Sequence, residues 1–268
     1  MMADLFGNNL ANNLTEGVAA DNILGAGGND TLTGGGGNHS IYGDWANDSL
    51  NSGAGEDFMY GGEGNDALNT LETGIDTSGT IIGTPRADSI TGTQRADIIY
   101  ARGGNDTVNG SAGNDRIYGE SGNDSLSGGA GNDTLTGGAG NDALTGGSGS
   151  DRFLFNTAIP TAGVDRITDF RGISQDKIVL DKSVFSALDT SAGNVLAATD
   201  FAVINVAAAA EVEAAGGKGA EIVYNRRTGN LFYNPNNDTI GFGVGGGRFA
   251  TIVGSPDNLS NTDFLVVA

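Results

Sequence analysis

The chain has 268 residues, room for one large or two modest domains, with 33 acidic against 13 basic residues, a net charge of −20, 47 glycines and no cysteine. So acidic a surface repels nucleic acid and anionic membrane and attracts cations. Disulfides are excluded, so metal ions are the obvious staple for a glycine-rich chain with few aromatics.

Met1–Thr15 lacks the basic start and continuous apolar stretch of an N-terminal export leader. No window approaches the length of a transmembrane helix, so no membrane-spanning segment is expected. Taken alone, these features predict a cytoplasmic protein. A nine-residue pattern begins almost at once. Gly7–Thr15 reads as a degenerate unit with Asn12 in the sixth place, and residues 1–15 form a lead segment. Six clearer units cover Glu16–Asn69, with Asp21, Asp30, His39, Asp48, Asp57 and Asp66 at the sixth positions. Residues 70–82 (TLETGIDTSGTII) break the frame. Eight units then run from Gly83 to Leu154 in the form G-G-x-G-x-D-x-U-x, where U is a large apolar residue. Their sixth positions are Asp88, Asp97, Asp106, Asp115, Asp124, Asp133, Asp142 and Asp151. Their eighth positions are Ile90, Ile99, Val108, Ile117, Leu126, Leu135, Leu144 and Phe153.

The period dictates a fold. The residues x-U-x suit a very short strand with U inward and its neighbours outward. The first six residues make a turn, with glycine where the backbone turns left-handed or chains approach closely. Nine residues make half a coil, and eighteen return the chain to the same side about 4.8 Å further along. The expected architecture is all-β: two blocks of parallel β-roll, residues 16–69 and 83–154, which are either continuous or bent apart at 70–82.

Aspartates eighteen apart then stack along one edge. The columns are Asp30–Asp48–Asp66, Asp106–Asp124–Asp142 and Asp97–Asp115–Asp133–Asp151, while His39 interrupts the column containing Asp57. Two unit charges about 4.8 Å apart repel by roughly 1 kcal/mol in water and roughly 3–4 at intermediate dielectric. A hard cation between turns resolves this. Calcium accepts six to eight oxygens in flexible geometry, from carboxylates and from backbone carbonyls such as those of Gly104, Gly113, Gly122, Gly128, Gly131, Gly137, Gly140 and Gly146. Magnesium, with its tighter octahedron, fits less well. Counting gaps between same-side turns predicts roughly six to ten calcium ions. Burial of one aliphatic side chain per unit contributes about 2 kcal/mol, whereas ordering nine residues costs roughly 1–2 kcal/mol each. The metal-free roll is therefore expected to stay disordered, and ion binding to become folding free energy.

After the repeats the composition changes. Residues 1–154 hold 34 of the 47 glycines and a net charge of −16 (21 acidic, 5 basic), whereas nine of the eleven phenylalanines lie at or after Phe153. Asp200–Ile204, Glu221–Tyr224, Asn230–Tyr233, Gly247–Val253 and Phe264–Val267 read as strands. Thr228-Gly229-Asn230 reads as a hairpin turn, and Val206–Gly217 as a short helix or a loop. Residues 155–268 are expected to form a β-rich cap that closes the roll and protects its edge. Asp165, Asp169 and Asp176 are candidates for a further ion.

Other chemistry finds little support. A glycine-rich linker would not keep aspartate and an apolar residue in phase over eight units. His39, the single histidine, has no cysteine or second histidine to complete a zinc site and reads as a drifted repeat position. Gly34–Gly37 lacks the lysine of a phosphate loop. No serine sits in a G-x-S-x-G elbow with a histidine partner. Carboxylate pairs recur every nine residues, which suits ion columns better than one acid/base pair, so no catalytic residue is assigned. Trp45 and Tyr60 read as surface or packing aromatics, with carbohydrate stacking as the alternative.

The nonapeptides resemble the repeats-in-toxin (RTX) family of calcium-binding repeats. That resemblance implies a parallel β-roll with calcium between turns on both edges, over roughly residues 7–154. Asp151–Ala158 (DRFLFNTA), Asp165–Phe170, Gln175–Asp181 and Glu221–Tyr233 resemble the C-terminal cap of serralysin-type exported proteins. The end Asp263–Ala268 (DFLVVA) resembles the uncleaved signal of type I secretion substrates. The resemblance thus implies a secreted, extracellular protein with the type I machinery as a transient partner, which reverses the cytoplasmic expectation, although a buried terminal strand reads much the same. No HExxH is present, so the protease half of serralysins is missing. Arg86 and Arg95 stand where the family prefers glycine, so the turns at Asp88 and Asp97 should bind weakly or act as an edge. Three functions compete: a stand-alone secreted calcium-binding matrix or surface protein, the export module of a larger effector or enzyme, and an enzyme with its site in residues 155–268. The extracellular partner is not legible.

Overall fold

The computed structural model describes residues 4–17, 21–55, 57–69, 80–172, 175–205, 220–235, 246–254 and 256–268. These lie in two compact units, Met1–Thr134 and Leu135–Ala268.

The first unit is a parallel β-roll. Strands β1 (Leu5–Phe6), β3 (Asn22–Leu24), β5 (Ser40–Trp45), β7 (Phe58–Glu63), β9 (Thr80–Ile82), β11 (Ile98–Tyr100) and β13 (Arg116–Ser121) follow one another in one sheet. Strands β2 (Asn13–Thr15), β4 (Thr31–Thr33), β6 (Ser49–Asn51), β8 (Ala67–Asn69), β10 (Ser89–Thr91), β12 (Thr107–Asn109) and β14 (Ser125–Ala130) form the other. Alternate strands alternate sheets, as a nine-residue half-coil requires. Residues eighteen apart are partners: Ile23 with Ile41, Leu32 with Leu50, Ile90 with Val108.

The inward position is the apolar one throughout. Ile23, Leu32, Ile41, Leu50, Met59 and Leu68 are fully buried, as are Ile90, Ile99, Val108, Ile117 and Leu126 to within 2%. Each ladder therefore stacks one aliphatic side chain per half-coil, worth about 2 kcal/mol apiece.

Two features differ from the sequence expectation. Thr80–Ile82, placed in the interruption between the blocks, forms β9, which pairs with β7 and β11. Ile81 takes the inward place and is 1% exposed. The thirteen residues 70–82 are thus one nine-residue period plus four, and both blocks share both sheets; residues 70–79 lie outside the described residues. Several strands also run to six residues rather than three. Pairing continues into the next turn, where Ser121 N donates to Arg102 O at 2.8 Å and Ala130 N to Ser111 O at 3.0 Å. The turn's second residue is left-handed there, even when it is not glycine: Ala26, Asp44, Arg102, Ser111 and Glu120 have φ between 70° and 78°.

The second unit contains β15 (Thr134–Ala139), β17 (Arg152–Phe155), β19 (Lys177–Asp181) and β24 (Phe264–Val267) in one sheet. The other sheet runs β16 (Ala143–Ser148), β18 (Asp165–Ile167), β23 (Gly247–Ile252), β22 (Asn230–Tyr233), β21 (Ile222–Asn225) and β20 (Phe201–Ile204). The five cap strands fall within about two residues of their predicted limits. β21 and β22 form the expected antiparallel hairpin, with Gly229 at φ 81° and its N–H on Asn225 O at 2.8 Å. Phe155, Phe249, Phe185 and Tyr233 meet edge to face in a chain, with centroids 5.0–5.3 Å apart. That aromatic core takes over where single aliphatics stop. The helix or loop expected at Val206–Gly217 lies outside the described residues. Among the described residues, no helix is long and apolar enough to cross a membrane.

Candidate metal centre

The carboxylates stand where the period places them. Asp30, Asp48, Asp66, Asp97, Asp106, Asp115, Asp124, Asp133, Asp142 and Asp151 are all at most 3% exposed, and Asp57 is 9% exposed. So many buried carboxylates require compensation.

Half of each carboxylate is used by the fold itself. Oδ1 accepts the backbone N–H of the residue one full coil earlier: Asp30 from Asn12, Asp48 from Asp30, Asp66 from Asp48, Asp106 from Asp88 and Asp115 from Asp97, all at 2.7–2.8 Å. Asp124 and Asp133 hold Asp106 and Asp115 in the same way at 2.8 Å. In the second unit Asp165 holds Asp142 N at 3.1 Å, and Asp176 holds Asp151 N at 3.0 Å. The columns therefore continue beyond the nonapeptides, on opposite edges. Asp169 instead accepts Gly146 N and Gly147 N at 2.9 and 2.8 Å. Asp165, Asp169 and Asp176 do not gather into one site. Among the described residues, no three acidic or histidine side chains converge on one point, so main-chain oxygens must complete any cation site.

The other carboxylate oxygen carries the chemistry. Oδ2 of Asp30, Asp48, Asp66, Asp106 and Asp115 is buried without a hydrogen-bond partner. Burial, and then the neighbouring carboxylates of the column, push Asp66 up to about 6, Asp48 and Asp106 to about 7 and Asp115 to about 8. Burial also raises Asp30, Asp57 and Asp133. Burial and mutual repulsion thus disfavour the charged form in these columns, and a bound cation would reverse that preference.

Main-chain oxygens face the same spaces. Asp30 Oδ2 and the carbonyl of Gly43 converge on the space that a Cβ at Gly25 would fill; Asp48 and Gly61 do so at Gly43, and Asp115 and Gly128 at Gly110. Gly128, Gly137 and Gly146 lie directly beneath the carboxylates of Asp133, Asp142 and Asp151. Gly104, Gly113, Gly122, Gly131 and Gly140 occupy the fourth position with φ of 104–141°. A Cβ at Gly131 would strike the carbonyl of Gly113. Carboxylate oxygen from one turn and carbonyl oxygen from the next form a hard, all-oxygen donor set, which fits calcium.

The repeats match the model of the RTX calcium-binding nonapeptide repeat in four copies, at residues 17–50, 42–71, 82–117 and 118–153. The repeat region belongs to the RTX calcium-binding family. RTX repeats bind calcium, so the ion the family takes and the ion the donor set fits are the same. No curated protein matches the chain. Among solved structures, the chain is similar to the AlgE6R3 subunit of the Azotobacter vinelandii mannuronan C5-epimerase, at 23% identity over 68% of this chain and 80% of that one. The TM-score is 0.30, too low to bear on the fold.

The RTX positions that drift are also explained. His39 is 1% exposed and both ring nitrogens lack a partner. Its backbone N–H still rests on Asp57 Oδ1 at 2.8 Å, so the staple survives while the turn loses an oxygen donor. Trp45 is 69% exposed beside Asn9 and Gly27. Tyr60 packs near Tyr42, with Arg102 5.9 Å over its ring.

Proposed function

We propose that this chain is a secreted protein whose RTX roll folds when extracellular calcium fills the aspartate columns. The carrying observation is the set of buried Oδ2 atoms without partners at Asp30, Asp48, Asp66, Asp106 and Asp115. Calcium supplies the positive charge that these columns lack, and the chain supplies carboxylate and carbonyl oxygens from successive turns. The ligand set is Asp30, Asp48, Asp57, Asp66, Asp106, Asp115, Asp124, Asp133, Asp142 and Asp151, with the carbonyls of the turn glycines; Asp97, expected among them from its place in the column, is left out because its Oδ2 already accepts the N–H and hydroxyl of Thr93 at 2.6 and 2.9 Å. The expected load is roughly six to ten ions, at the high-micromolar to millimolar levels typical of extracellular modules. Cytosolic calcium is too low to fill such sites, so the chain travels unfolded and folds after exit.

The C-terminal tail suits that order of events. Phe264 and Val266 are fully buried in β24, which lies parallel to β19. An export machine can read this tail only before the cap forms. We favour a stand-alone extracellular role over an export module, and assign no catalytic residue. Equilibrium dialysis of the full chain against labelled calcium, with secretion scored after deletion of residues 264–268 in a host carrying a type I exporter, tests both parts. Multiple bound ions and loss of secretion are expected. A chain that binds no calcium, or one exported equally well without its tail, would refute the corresponding part.

A further inference from the structure

Two turns in the middle of the first unit are built differently from their neighbours. An ordinary turn has left-handed residues at its second and fourth positions, as at Ser111 (φ 76°) with Gly113 (119°) and Gly129 (106°) with Gly131 (138°). The turns Gly83–Asp88 (GTPRAD) and Gly92–Asp97 (GTQRAD) have neither: Thr84, Arg86, Thr93 and Arg95 all avoid positive φ. A ring of hydrogen bonds closes each turn instead. Thr84 donates to Asp88 Oδ2 through its N–H at 2.7 Å and its hydroxyl at 2.8 Å. Thr93 donates to Asp97 Oδ2 in the same two ways, at 2.6 and 2.9 Å. The N–H groups of Arg86 and Arg95 donate back to the two threonine oxygens at 3.1 and 3.0 Å.

The oxygen that lacks a partner at Asp106 and Asp115 is therefore doubly satisfied here. Asp88 is complete, because its Oδ1 also accepts Asp66 N at 2.8 Å. Three of the five basic residues in residues 1–154 are Arg86, Arg95 and Arg102. Arg86 and Arg95 stand in the two turns whose carboxylates are already engaged, and Arg102 in the Asp106 turn that follows.

We infer that Thr84 and Thr93 set which turns take calcium: the turns at Asp88 and Asp97 are closed by threonine and hold no ion of their own. This rests on the calcium reading of the other turns. To bind an ion, Asp88 or Asp97 must give up two donors and rebuild a backbone that lacks left-handed residues. Such a turn closes without an ion of its own and divides the array into two calcium-loaded runs.

The test is bound calcium per full-length chain, measured by equilibrium dialysis at saturating calcium, with circular dichroism confirming the fold. Asp106→Asn and Asp115→Asn should each lower the count. Asp88→Asn and Asp97→Asn should leave it unchanged. The pair Thr84→Gly/Thr93→Gly, which puts glycine back at the second position and removes the hydroxyl donor from each carboxylate, should raise it. Should either asparagine variant fail to fold, Thr84→Val/Thr93→Val keeps the side-chain shape without the hydroxyl; an unchanged count, with a higher calcium concentration needed to fold, is expected. A count lowered by Asp88→Asn or Asp97→Asn as much as by Asp106→Asn would overturn the inference. Calcium-free wild-type protein would overturn both it and the reading beneath it.

Discussion

Replacing Asp106 by asparagine separates the two duties of a column aspartate. Asparagine retains a carbonyl oxygen that can accept Asp88 N–H, now held at 2.8 Å. It removes the charge whose second oxygen is buried without a partner. Burial, with Asp124 and Asp88 nearby, raises this carboxyl from 3.8 to about 7. At 1.36 kcal/mol per pKa unit, the charge costs the metal-free fold at most about 4 kcal/mol above neutral pH. Shared protonation along a coupled column makes that figure an upper bound. The Asp106→Asn chain should therefore be better folded in chelator at pH 8, yet bind less calcium and gain less stability from it. Residual β-structure in chelator, read by circular dichroism, and urea unfolding in saturating calcium report the two effects from one variant. A variant less stable than wild type in chelator, with calcium binding unchanged, would refute this division of labour.

Calcium affinity should strengthen as pH rises from 5 to 8. A carboxyl with a raised folded value favours the metal-free fold below its unfolded value near 4, and loses that advantage as pH climbs through Asp66 (about 6), Asp48 and Asp106 (about 7) and Asp115 (about 8). Binding then expels protons, so calorimetry in buffers of different ionisation enthalpy should show proton release; a midpoint independent of pH would count against it. Leu50→Ala removes a fully buried ladder side chain and should cost about 2–5 kcal/mol in calcium-saturated urea unfolding. Gly131→Ala places a methyl group against the Gly113 carbonyl at φ 138° and should destabilise the calcium-loaded roll by at least about 1 kcal/mol; a neutral effect would show that the turn relaxes freely.

Much of this was legible because the period is rigid. Once nine residues make a half-coil, the inward places of Ile90 to Phe153 and the aspartate columns follow by counting. The cap strands were legible from their apolar runs and the Thr228-Gly229 turn. Ile81 was missed because four extra residues hid a nine-residue period inside residues 70–82. The Oδ1 staples were invisible because a carboxylate in a repeat does not announce which oxygen faces the chain below. The departures at Arg86 and Arg95 drew attention to lost glycines, whereas the decisive residues are Thr84 and Thr93, two places earlier. The signal was present: in both turns, threonine stands in the second position. The continuation of the columns to Asp165 and Asp176 was obscured by spacings that stretch from 18 to 23 and 25 residues.

Far-ultraviolet circular dichroism of the full chain during a calcium titration, with magnesium as control, tests calcium-coupled folding most directly. A cooperative transition from coil to β-structure with calcium, and none with magnesium at the same concentrations, is the predicted result. A chain already rich in β-structure in chelator and unmoved by calcium would contradict it.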